Sequence, residues 1–282
     1  MNKRIVFLDI DGTLCLDDAT TVPNSAIEAC QRARENGHKL YLCTGRSKPE
    51  IFDHVMDIGF DGIIGAGGGF CESDGKTIFH ERVAKEEVVH AVDYFTSNKI
   101  PFYVESNGGL YAGPRCKNRL EYLLYGDVLN DMDAKRQKEE NPHPFIEELI
   151  DGEDNLYRED VNKICFLGNE RISFEKIKKE FENQYEVIHC TVPAFGSNSG
   201  ELAVAGVSKA SAIDKLLTYL KQKDASTIAI GDGTNDIDMF QYCDIGIAMG
   251  NAKQALIDIA DDVTKRHDED GIYEAFKKYQ LI

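Results

Sequence analysis

The sequence contains no apolar run near the roughly 20 residues that a membrane-spanning helix needs, so no membrane partner is expected. The opening segment, MNKRIVFLDID, has an apolar stretch too short for a secretory signal and cut by an acid, which points to a cytoplasmic protein. A basic block is also missing. Lysines and arginines number 32 against 49 aspartates and glutamates, a net charge of −17. Nucleic-acid backbones are held by clustered Lys and Arg, so no nucleic-acid partner is expected either. There is no CxxC pair, and no His/Cys spacing matches a zinc site. The eight cysteines, several of them inside apolar runs, read as buried free thiols of a reducing compartment. Internal repeats and low-complexity segments are absent.

What remains is a chain of 282 residues with 42% hydrophobic and 29% charged side chains, a globular composition. Its first part alternates strand and helix patterns. RIVFLDI, KLYLCT and DGIIGA read as strands, and PNSAIEACQRAREN and PEIFDHVMDI as helices. Continuous apolar strands separated by helices imply a parallel sheet covered on both faces. GFCESDGKTIFHERV reads as a hairpin around Asp74-Gly75. From about residue 84 the texture changes: KEEVVHAVDYFTSN, RCKNRLEYLLYG and SFEKIKKEFEN read as helices, and PFYVES, GLYAG, VNKICFLG and YEVIHCT as strands. Residues 127–160 are polar and weakly periodic. The βα alternation then returns through GELAVAG, SKASAIDKLLTYLKQK, STIAIGD, NDIDMFQYC, IGIAMG and AKQALIDIA. The expected fold is α/β: a Rossmann-like parallel-sheet core over residues 1–83 and 194–282, with an α+β cap inserted at 84–193.

Open parallel sheets form their sites beyond the carboxyl ends of their strands. The first strand ends at Asp9, followed by Asp11. The second ends in Thr44, Gly45 and Arg46. Lys209 opens a helix, and STIAIGDGTND runs from Asp232 through Asn235 to Asp236. If these strands are neighbours, several carboxylates converge with one lysine and one hydroxyl. Such a cluster calls for a cation, and hard oxygen ligands suit Mg²⁺. A carboxylate beside Mg²⁺ can attack phosphorus, with Lys209 offsetting phosphoryl charge and the Thr44 hydroxyl and nearby N–H groups holding an oxygen. Asp11, two residues from Asp9, can protonate the leaving oxygen and later deprotonate water. Gly12 lets the chain turn tightly there.

DIDGTL, LCTGR, SKASAI and GDGTNDIDM resemble the four motifs of the haloacid dehalogenase superfamily. The tail IAMGNAKQALIDIADDVTKRHDEDGIYEAFKKY is similar to that of the Cof-type branch, which carries a class IIB cap between its second and third motifs. The resemblance implies a phosphoric monoester hydrolase. It makes Asp9 the nucleophile and Asp11 the general acid/base, whose backbone carbonyl is also a metal ligand. It puts Thr44 and the Gly45 backbone on phosphate, and Lys209 likewise. It makes Asp232 a Mg²⁺ ligand, Asp236 a ligand or outer partner, and Asn235 a contact to phosphate or substrate. The metal set is then Asp9, Asp11, Asp232 and Asp236. The second aspartate marks phosphatases and phosphomutases rather than dehalogenases or transport ATPases. Two departures stand out: SKA at 208–210 where the family has SKG, and GAGGGF at 65–70 where relatives often read NGA.

The expected activity is Mg²⁺-dependent hydrolysis of a small phosphorylated metabolite, a sugar phosphate or similar, through an aspartyl phosphate. A phosphomutase and a non-catalytic phospho-ligand sensor are the alternatives, and a pure binder has little need for Asp11. Phosphorylation of Asp9 by a kinase is a further reading. Arg46 follows the family pattern and is equally suited to a plain salt bridge. Asn251 is equally a loop residue or a site residue. Arg115, Lys117 and Arg119 read as a solvated face, and the seven histidines carry no motif.

Overall fold

The computed structural model describes residues 3–168, 172–190 and 192–282. Fourteen strands occur among them. In chain order they are β1 (Arg4–Leu8), β2 (Lys39–Cys43), β3 (Gly62–Gly65), β4 (Phe70–Ser73), β5 (Lys76–His80), β6 (Phe102–Ser106), β7 (Gly109–Ala112), β8 (Leu149–Asp151), β9 (Val161–Phe166), β10 (Tyr185–His189), β11 (Gly200–Val204), β12 (Ser226–Gly231), β13 (Ile245–Ala248) and β14 (Asp262–Val263). The chain divides into two compact units. One comprises residues 1–46, 51–80 and 207–282, and the other residues 47–50 and 81–206.

The first unit holds an eight-stranded sheet in the order β14-β13-β12-β1-β2-β3-β4-β5. Strands β14 to β3 pair in parallel, and β4 and β5 add an antiparallel hairpin. The uninterrupted apolar run of β1 follows from burial on both faces. Val6 and Leu8 join one buried cluster, with Ala29, Ala33 and Phe276 from the helices Asn24–Glu35 and Gly271–Lys278. Ile5 and Phe7 join the opposite cluster, with Ile213 and Leu216 from the helix Lys209–Leu220. Each fully buried side chain of this size contributes roughly 1.5–3 kcal/mol. Asp74 and Gly75 both have positive φ (50° and 71°), the conformation of a tight two-residue hairpin turn.

The second unit holds a six-stranded sheet in the order β10-β11-β9-β6-β7-β8. Its strands are antiparallel except for the β7–β8 pair. Phe95 and Phe181, from the helices Lys85–Ser97 and Phe174–Phe181, pack with Phe102, Val104 and Phe166 on one face. Tyr103, Leu110 and Cys165 on the other face are covered by Cys116, Leu120 and Ile146.

The structure departs from the sequence reading in several places. GELAVAG is a strand, but β11 pairs antiparallel with β9 and β10 in the second sheet, so residues 194–206 belong to the second unit and the chain returns to the first at Val207. The helix read over PEIFDHVMDI shortens to Asp53–Met56 after a 3₁₀ turn, Lys48–Glu50, and the one over AKQALIDIA to Gln254–Ile257. In the weakly periodic region the chain forms the helices Met132–Glu140 and Pro144–Glu148, followed by β8. Thr191, at the end of the YEVIHCT reading, lies outside the described residues. No helix among the described residues is long and apolar enough to cross a membrane.

Candidate active site

β1 and β12 run side by side in parallel, with Leu8 opposite Ile230. The Asp9 N–H carries the ladder one step further onto the Ile230 carbonyl, at 3.0 Å. Asp9 and Asp232, at opposite ends of the sequence, therefore leave the sheet together. β2 flanks β1 on its other side, so Thr44 emerges at the same carboxyl edge.

Lys209 completes the group. It is the first residue of its helix, whose start is fixed by reciprocal hydrogen bonds between Ser208 and Ser211. The Ala210 N–H donates to Asp238 Oδ2 at 3.1 Å. A cation in a first helical turn opposes the helix dipole. Here two carboxylates offset that cost: Lys209 Nζ donates to Asp9 Oδ1 at 2.7 Å and to Asp236 Oδ1 at 2.6 Å, and it is only 2% exposed. Burial disfavours its charge, but Asp236 and Asp9 outweigh burial and hold the ammonium protonated.

The three carboxylates differ in what they have left to offer. Asp236 is fully buried. Its Oδ1 accepts from Lys209, and its Oδ2 accepts from the N–H groups of Asp232 (3.0 Å) and Gly233 (2.9 Å). It fixes the loop and the lysine. Asp232 accepts from the Thr13 hydroxyl through Oδ1 at 3.1 Å, and burial, then the Asp236 charge, pushes it up to about 6. Burial raises Asp9 as well, against the pull of Lys209. Among the described residues, no hydrogen bond is made to Oδ2 of either Asp9 or Asp232.

This donor set fits a hard divalent cation. Oxygen atoms of Asp9, Asp232 and Asp236 lie within 4.8 Å of one another. Two of these carboxyl groups are driven toward protonation by burial and mutual repulsion, a cost that a divalent cation removes. Gly12 makes the close approach possible. It sits at φ +72°, and a Cβ there would lie 2.4 Å from Asp232 Oδ2.

Asp11 stands apart from this cluster. Both of its carboxylate oxygens accept from Arg46, from Nε at 2.9 Å and from Nη2 at 2.5 Å, and Arg46 Nη2 also donates to the Ala19 carbonyl at 2.6 Å. Thr44 is fully buried, and its Oγ1 accepts from the Arg46 N–H at 3.2 Å. Gly45 faces open space on its Cα side. Asn235 is exposed at the rim.

The glycine-rich departure at 65–69 has a steric reason. The N–H groups of Ala66 and Gly67 donate to the carbonyls of Arg46 and Thr44, at 2.7 and 3.0 Å. Gly68, at φ +112°, passes so close to the next helix that a Cβ would lie 2.3 Å from the Ser208 carbonyl oxygen. The turn thus buttresses the Thr44 loop and the Lys209 helix start together.

Sequence reasoning singled out neither Thr13 nor Asp238. Each carries a signal in hindsight, a hydroxyl in the DGT turn and an acid two residues beyond Asp236. Lys117 is half-buried and pairs with Asp151 at 3.0 Å, and Arg119, also half-buried, lies over the Tyr122 ring.

Comparison with known proteins identifies the family. The sequence pattern of the haloacid dehalogenase-like hydrolases matches residues 6–276. The chain is 27% identical to the 5-amino-6-(5-phospho-D-ribitylamino)uracil phosphatase YwtE of Bacillus subtilis, over 95% of each chain. It is 24% identical to phosphatase YwpJ of the same organism, over 97% of this chain and 99% of that one. Among solved structures it is similar to BT4131, described as a subclass IIB sugar phosphatase. The TM-score is 0.75 at 25% identity, over 99% of this chain and 100% of that one. The chain belongs to the haloacid dehalogenase-like hydrolases.

Proposed function

We propose that this phosphatase hydrolyses small phosphate monoesters, sugar phosphates among them, with Mg²⁺ and through a phosphorylated Asp9. The observation that carries the reading is the state of Asp9: one oxygen is anchored on buried Lys209, and the other, beside Asp232, accepts no hydrogen bond among the described residues. A carboxylate so oriented is poised as a nucleophile. In this reading the second unit is the inserted cap and the first the catalytic core.

The roles follow. Asp9 Oδ2 attacks phosphorus, and the P–O bond to the leaving group breaks. Asp11 gives its proton to the departing oxygen, then takes one from the water that cleaves the acyl phosphate. The Thr44 hydroxyl and the Gly45 backbone bind phosphoryl oxygens, Asn235 contacts phosphate or substrate at the rim, and Lys209 offsets their charge while fixing Asp9. Asp9, Asp232 and the Asp11 carbonyl are the residues that would hold Mg²⁺, with Asp236 behind them. The ion, when bound, neutralises charge on the phosphoryl group. Relatives named for sugar phosphates and for a ribitylaminouracil phosphate support small polyol phosphates as the substrate class.

The test is phosphate release from a panel of phosphorylated metabolites, with Mg²⁺ and with chelator. Release from a few sugar phosphates that chelator abolishes is the expected result. No free phosphate from any compound would overturn the reading. It would then favour a mutase, in which the phosphoryl group returns to a sugar hydroxyl, or a sensor.

A further inference from the structure

The turn that carries Asp11 is closed largely on itself. The Ile10 carbonyl accepts from the N–H groups of Thr13, Leu14 and Cys15, at 3.3, 3.0 and 2.8 Å. The carbonyl of Gly12 takes no part in that arrangement. It accepts instead from the side chain of Asn251, Nδ2 to O at 2.7 Å. Asn251 is itself held at its other end, where Oδ1 accepts from the His267 N–H at 3.1 Å. With one end of the carboxamide on a carbonyl and the other on an N–H, its orientation is determined.

The neighbours of Asn251 are fixed too. The Met249 N–H donates to the Gly231 carbonyl, Gly250 to Lys265, and Lys253 to the Asp232 carbonyl at 2.8 Å. The imidazole of His267, only 3% exposed, reaches the far end of the same turn through Nε2, 3.0 Å from Asp17 Oδ1. One bracket therefore grips the turn at Gly12 and again at Asp17, and among the described residues neither the Asn251 nor the His267 side chain hydrogen-bonds to Asp9, Asp11, Asp232 or Asp236.

We infer that Asn251 is a positioning residue for the reaction: by fixing the Gly12 carbonyl it sets the Gly12–Thr13 peptide, and through the Gly12 backbone the placement of the preceding acid/base, Asp11. The inference rests on the role proposed above for Asp11. A left-handed glycine is the joint in this turn most able to rotate, and the Asn251 amide holds it in one setting. Displacement of a reacting group by about 1 Å can cost about a hundredfold in rate.

The isosteric variant Asn251→Asp keeps an acceptor for the His267 N–H and loses the donor to Gly12. Asn251→Ala loses both. Two readouts are needed: turnover of p-nitrophenyl phosphate with Mg²⁺, and hydrogen exchange of peptides spanning residues 9–17. We expect both variants to fold, to lose kcat by about tenfold or more with KM little changed, and to exchange faster in that turn. A protonated carboxyl can donate to the Gly12 carbonyl again, so the Asn251→Asp to native ratio of kcat rises as pH falls. The Asn251→Ala ratio stays flat. Unchanged exchange in the turn overturns the inference, as does faster exchange with native kcat. A native protein inert toward the probe, in which the variants still loosen the turn, counts against the proposed reaction and not against the bracket.

Discussion

Arg46 grips Asp11 through two hydrogen bonds, Nε to Oδ2 at 2.9 Å and Nη2 to Oδ1 at 2.5 Å. Paired guanidinium contacts of this kind fix orientation as well as charge. In the reaction proposed above, Asp11 must release Arg46 on at least one side to reach a leaving group, and Arg46 would then park and aim the acid/base. Arg46→Ala is expected to lower kcat by about ten- to a hundredfold with a smaller effect on KM. Arg46→Lys is expected to rescue little, since an ammonium cannot supply the planar fork. Steady-state kinetics on the best substrate from the phosphate-release panel would check both. Native kcat in Arg46→Ala would reduce the pair to a surface ion pair.

Asp9 and Asp11 are separable by trapping. Asp9→Asn leaves Lys209 its second partner, Asp236, so the variant is expected to fold and to show no turnover. Asp11→Asn is expected to accept phosphate on Asp9 and to fail to release it, because no base remains to activate water. Intact-mass measurement after mixing with substrate should show a phosphate adduct in Asp11→Asn and none in Asp9→Asn. An adduct in both would place the nucleophile elsewhere.

All eight cysteines are free thiols, and seven of them are buried. Burial pushes Cys30, Cys71 and Cys116 up to about 12, so at neutral pH they are neither exposed nor ionised. Iodoacetamide at pH 7.5 is expected to label the native protein at Cys190 at most, and all eight sites once it is unfolded. Rapid labelling of Cys30 or Cys71 in the native protein would contradict this packing.

How much was legible in the sequence depended on what decides each feature. β1 was legible because burial on both faces writes itself as an apolar run, and Asp9, Lys209 and Asp232 were legible because each follows such a run or opens a helix. β11 was assigned to the wrong unit because GELAVAG looks the same whichever sheet it joins; only its partners β9 and β10 decide, and they are remote. The helix Met132–Glu140 was hidden because only Ala134 is buried, which leaves no apolar stripe to read. Arg46 was ambiguous because a salt bridge and an aiming contact use the same residue type. The partner is Asp11, which sequence spacing does not identify.

In the second unit, Glu50 bears on stability. Its Oε2 accepts from the Ser47 N–H at 2.8 Å, and the Ser47 hydroxyl donates to Glu105 Oε2 at 2.7 Å. Glu105 is 1% exposed and also meets Cys165 Sγ at 3.1 Å and Lys163 Nζ at 3.6 Å. Burial first, and then the facing Glu105 charge, raise Glu50 well above the ordinary 4.5, with Lys163 pulling the other way. The folded protein therefore keeps a proton that the unfolded chain releases. Below about 4.5 both states are protonated and there is no penalty. As pH rises above that, the unfolded chain ionises first, and stability falls until Glu50 ionises in the folded state as well. Glu50→Gln removes the need for the proton while keeping an acceptor for Ser47. Thermal unfolding of the two proteins should coincide near pH 4.5 and diverge above it, with the variant the more stable at pH 8. The gain in Tm is expected at roughly 2–4 °C per kcal/mol. A variant less stable than native across the whole range would mean that Glu50 is ionised in the folded protein and works as a partner of Lys163.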